Sequence, residues 1–211
     1  MIAFVLVRIM VFKYESLYGC IKNYPDDYAR PSLVSASHKK ELFLLTLALV
    51  APILALNLLP LNILTIILLP VFISIALSFA IFDAKYMIIP DISLILLGAV
   101  SIVAIMLHTL EYGSMEPAMN ALKGMLIGGL FPIFINKIAT KKMGFGDVKM
   151  FAAMGILAGS LGIMYTMLGA WLLQLIAFFY LVDKVHRGKA SLPLAPFAVV
   201  AYIVTLCVVG S

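Results

Sequence analysis

Forty-one consecutive residues, Leu42 to Phe82, contain no charged side chain. A helix needs about 20 apolar residues to cross the hydrocarbon core of a bilayer, so this run suffices for two crossings. The natural break is at NLLPLN, where Pro60 between Asn57 and Asn62 suits a tight turn. Two helices are therefore expected, over about 42–58 and 61–82. The remaining chain repeats the pattern. Further apolar segments run over about 91–110, 117–138 and 192–209, and the stretch from Val148 to Val182 holds two more, split near AGSLG. The fold class is an all-α polytopic membrane protein, a bundle of about seven transmembrane helices. Composition agrees, with 64% hydrophobic and 12% charged residues against the roughly 45–50% apolar content of soluble domains.

The segment from Ile2 to Phe12 is apolar but short and carries Arg8, so it reads as a short or interfacial membrane segment without a removable leader. Residues 13–41 form the one extended polar region, too small for an independent domain. The chain divides into 1–41, this apolar segment with its polar region, and 42–211, the transmembrane domain. Its net charge of +5 does not point to nucleic acid, because Lys and Arg fall between apolar runs, as orientation signals do. The expected partner is the lipid bilayer, with no nucleic acid. Cys20 and Cys207 lie far apart, as do His38, His108 and His186, so neither a metal nor another cofactor is expected.

Cytoplasmic loops accumulate Lys and Arg. Residues 13–41 carry five of them, 83–90 has Lys85, 138–147 has Lys141 and Lys142, and 183–190 has Lys184, Arg187 and Lys189. The alternate loops, around 57–62, 111–116 and 159–162, have none. The first set is expected to face the cytoplasm, which leaves the C-terminus outside. On this map Asp83 closes one helix and Asp147 opens another at the same, cytoplasmic side. Two carboxylates held close cannot both ionise easily, so such a pair can hold one proton, leaving one member a base and the other an acid. That pair could activate water against a peptide carbonyl. Gly144 and Gly146 would supply positive φ and close backbone approach beside Asp147, which is expected to cap a helix starting at Val148. Asp91, after Pro90, is expected to cap the next helix, and Asp183 to be solvated. Lys149 is accounted for as an orientation charge that could also tune Asp147.

Taken together, FDAKYMIIPD (82–91) and MGFGDVKMFAAMG (143–155) closely resemble the type IV prepilin peptidases, membrane aspartyl proteases named for a GxGD motif. SLPLAPFAV (191–199) is similar to that family's Pro-rich stretch before its last helix. The resemblance implies catalytic aspartates at Asp83 and Asp147 and an active-site loop of Gly144, Phe145, Gly146 and Lys149. It also implies substrate-positioning roles for Pro90, Pro193 and Pro196. The implied architecture is a six-helix protease core with one added N-terminal span. The implied substrate is the leader of a type IV pilin-like or archaellin-like precursor, cut after a glycine at the cytoplasmic face of the inner membrane. Bifunctional bacterial members carry paired CxxC motifs near the N-terminus, associated with methylation of the new amino terminus. Here a lone Cys20 stands in that region, so methyltransferase activity is expected to be absent.

Two other readings compete. A small proton-coupled transporter would place carboxylates near mid-helix within paired broken helices. A non-catalytic pilus-assembly scaffold would retain the fold and lack the activity.

Overall fold

The computed structural model describes residues 63–139, 143–186 and 193–209. All the elements within them are helices: α1 (Ile63–Tyr86), α2 (Asp91–Tyr112), α3 (Glu116–Ile138), α4 (Phe145–His186) and α5 (Ala195–Val209). The segments 2–12 and 13–41 and the helix expected over 42–58 lie outside the described residues. Among the described residues three helices are long and apolar enough to cross a membrane, Asp91–Glu111, Glu116–Ile138 and Phe145–Phe179. Val71–Ala84 and Ala195–Leu206 are shorter apolar helices. Ile95, Leu110, Leu130, Phe134 and Phe179 are exposed along these helices, as suits a surface turned towards lipid tails as apolar as leucine.

The split expected near AGSLG falls at Gly159. Its backbone leaves helical geometry, with φ 69° and ψ −173°, a conformation open to glycine because it lacks Cβ. The chain turns back there. Gly155, one turn before, lies against Gly124 of α3, whereas the Trp171 ring lies 6.1 Å from that of Phe131, further along α3. A straight helix would carry Trp171 about 18 Å past Gly159 and away from Phe131. Asn120 of α3 caps the returning arm, its Oδ1 accepting hydrogen bonds from the Ser160 N–H at 3.1 Å and the Ser160 hydroxyl at 2.8 Å. These bonds satisfy donors that a helix start otherwise leaves unpaired.

Small residues set the closest helix contacts. Gly124 and Gly128 of α3 bring its backbone against Gly155 and Phe151 of α4, the small-xxx-small packing that lets membrane helices approach. On the other side of α4, Gly162 faces Thr205 and Gly169 faces Ala201, so α5 runs antiparallel to the returning arm. The core joins Phe72 and Phe79 of α1 to Met150, Phe151 and Met154 of α4 and Tyr202 of α5, all buried. Phe72 and Tyr202 stack with ring centroids 5.2 Å apart. The last turn of α1 sits at the start of α5, and the start of α4 lies at the same end, packed against α2 and α3. The link 87–90 and residues 143–144 and 193–194 gather at that end, while Gly113–Met115 and the Gly159 reversal lie at the other.

Candidate active site

Asp83 sits in the last turn of α1 with only 5% of its surface exposed. A buried carboxylate is costly unless hydrogen-bonded. Its Oδ2 accepts the backbone N–H of Ala195 at 3.1 Å, the first N–H of α5. Helix N-termini favour anions there, because the first N–H groups lack intrahelical partners and carry the positive end of the macrodipole. Pro193 precedes that start and Pro196 is the second residue of α5, where its missing N–H costs nothing and its fixed φ suits the helix. The two prolines thus define the helix start that holds Asp83. Past Asp83, the Met87 N–H bonds back to the Asp83 carbonyl at 2.8 Å. Met87 itself adopts φ 57°, ending the helix sharply.

Asp147 is brought to the same place by α4. The helix begins at Phe145, not at Val148, and Asp147 is its third residue rather than its cap. The Asp147 and Val148 N–H groups reach the Gly144 carbonyl at 3.1 and 3.4 Å, which makes Gly144 the capping position. The Gly144 N–H faces the Asp147 carboxylate, one half of a capping box with aspartate in place of Glu or Gln, since Gly144 has no side chain to form the other half. Neither Gly144 nor Gly146 has the expected positive φ. What position 144 requires is room: a Cβ there would lie 3.3 Å from Asp147 Oδ2. A Cβ at 146 would meet the Ile89 side chain at 3.5 Å, so the two loops touch at that point. Asp147 and Asp83 are near enough to interact electrostatically, and both carboxylates stand at one end of the bundle.

Asp91 departs from expectation. The capping residue of α2 is Pro90, extended at φ −67° and ψ 126°, with no side-chain capping hydrogen bond. The Ser93 hydroxyl closes that turn by donating to the Pro90 carbonyl at 2.6 Å. Asp91 is left free to turn outward, where its Oδ1 pairs with Lys149 Nζ at 2.8 Å. The same ammonium lies 5.3 Å from the centroid of the Phe145 ring, within cation–π range. Pro90 is buried, whereas Phe145 is exposed beside Asp147. Asp183 falls inside α4, which runs on to His186 rather than ending near Val182.

Sequence reasoning did not find the Ala195 N–H or the Asp91–Lys149 pair. The first had a signal: Leu194 and Ala195 carry N–H groups between two prolines that have none. The second had none, because opposite charges 58 residues apart say nothing about contact. Among the described residues no group of His, Cys, Asp and Glu could hold a metal ion. No curated protein and no solved structure matches the chain. A sequence profile of the type IV leader peptidase family matches residues 70–179, just over half of the 211, spanning both Asp83 and Asp147. The chain belongs to the type IV leader peptidase family, a family of proteases.

Proposed function

We propose that this protein is a membrane aspartic endopeptidase that removes the leader of type IV pilin-like or archaellin-like precursors at the cytoplasmic face of the inner membrane. The observation that carries this reading is the convergence of Asp83 and Asp147 at one end of an apolar bundle, each held by a backbone N–H. In the reaction one carboxylate takes a proton from water as the oxygen attacks the scissile carbonyl. The other, protonated, hydrogen-bonds the carbonyl oxygen as it gains charge. Collapse of the tetrahedral intermediate breaks the C–N bond, and the proton passes to the leaving amine. Both carboxylates lie at helix ends rather than midway along a span, which favours hydrolysis over proton-coupled transport. In this reading 42–211 is the protease domain, and Pro90, Pro193 and Pro196 position the substrate only indirectly, by fixing the helix starts around the dyad.

The direct test is co-expression with a pilin-like precursor from the same source, with mass spectrometry of the product. The expected result is a shortened chain with an unmethylated amino terminus, since a lone Cys20 cannot supply a four-thiolate site. An uncut precursor leaves the scaffold reading standing, and a product heavier by one methyl group refutes the expected lack of methylation.

Orientation is tested separately. In a background of Cys20→Ser and Cys207→Ser, Ser114→Cys is expected to react with an impermeant maleimide from outside, and Lys142→Cys is not. The reverse pattern would put the aspartates on the wrong side for a cytoplasmic cut.

A further inference from the structure

The proposed dyad is assembled from two separate stretches, residues 83–91 between α1 and α2 and residues 143–149 leading into α4. Nothing covalent holds them in register. Below the carboxylates the apolar core does so through α2, whose Leu94 and Leu97 share one buried cluster with Met150 and Phe151 of α4. At the mouth the stretches meet in two places: Ile89 against Gly146, and Asp91 against Lys149. The second contact is directional. Lys149 lies two residues after Asp147, on the first turns of α4, and Asp91 opens α2, so each partner is anchored on a helix rather than on a loop tip. The Phe145 ring sits against the ammonium, restricting where it can swing.

We propose that Asp91 and Lys149 form a clasp across the mouth of the site that sets the separation of Asp83 and Asp147, making both positioning residues for the reaction. This deepens the dyad reading and rests on it. Asp91 has 63% and Lys149 43% of its side chain exposed, so the pair contributes little to overall stability. Its effect is confined to the geometry between the two stretches, where small displacements of reacting groups cost rate. The guanidinium of arginine could keep both the charge and the contact; glutamine at 149 or asparagine at 91 could not.

The test uses the full chain in native membranes. Asp91→Asn and Lys149→Gln are each expected to lower kcat about fivefold, the most that an exposed pair supplies, with KM unchanged. The double variant should be no worse than either single one, and Lys149→Arg should retain the wild-type rate. Raising salt to about 1 M, where the screening length shrinks to about 3 Å, should bring the wild-type kcat down to that of the variants and leave theirs unmoved. A second measurement needs no activity. With Cys20→Ser and Cys207→Ser, cross-linking of Asp83→Cys to Asp147→Cys by a short bis-maleimide should slow when Asp91→Asn is added. Wild-type kcat in both single variants, with unchanged cross-linking, would overturn the clasp. Slower cross-linking in a protein that cuts no precursor would instead sink the proposed reaction and leave the clasp standing.

Discussion

Asp83→Asn and Asp147→Asn are each expected to abolish precursor cleavage, by at least the factor of about 10² to 10⁴ that positioned acid–base groups contribute. Asparagine matches aspartate in size but cannot ionise. The loss should not come from misfolding, because the carbonyl oxygen of the substituted side chain can still accept the Ala195 N–H at position 83 or the Gly144 N–H at position 147. Both variants should therefore accumulate in membranes at wild-type levels, as a blot would verify. The double variant should be no worse than either single one, since groups acting as one unit are strongly non-additive. Asp183→Asn should keep most of the activity. Substantial processing by either single variant, at matched levels, would remove the dyad from the mechanism.

Gly155 is a position where one added methyl group should damage the fold severely. A Cβ there would lie 2.6 Å from the Gly124 carbonyl carbon and 3.0 Å from the Met125 nitrogen, both backbone atoms that no side-chain rotation can move aside. Gly155→Ala is expected to cost about 1–3 kcal/mol, as overpacking does, and Gly155→Val to prevent stable accumulation altogether. Gly129→Ala is the matched control: it lies in α3 at the same α3–α4 contact, and its Cβ would meet the Ala152 Cβ at an ordinary 3.5 Å. It should be tolerated. The measurement is resistance to denaturant in mild detergent alongside steady-state level. Equal stability of Gly155→Ala and Gly129→Ala would mean that α3 and α4 do not meet as closely as these glycines imply.

Much of the architecture was legible because membrane helices announce themselves by apolar length and loops by charge. The positions of α1, α2, α3 and α5 and the break inside the Val148–Val182 run follow from that alone. The common end shared by Asp83 and Asp147 also follows, since alternation of charged and uncharged loops determines which helix ends lie together. The start of α4 was misplaced for a local reason. Aspartate suits both the capping position and the third residue of a helix, and here reaching back to Gly144 prevailed over capping Val148. Asp91 was misassigned because a helix start can be closed by Pro90 and Ser93 without it. Which helices are neighbours was not legible, and with it went the Ala195 and Lys149 contacts, separated by 112 and 58 residues from their partners.

The bond between Asp83 and the Ala195 N–H also orders events in time. Asp83 is synthesised 112 residues before the amide that holds it, and at about 5–20 residues per second that interval is on the order of ten seconds. Throughout it the carboxylate belongs to an inserting chain in which α5 does not yet exist. Assembly of the site thus waits on α5 rather than only on the helices that carry the aspartates. A nascent or prematurely terminated chain can hold both aspartates and still lack the helix end that orients the first of them.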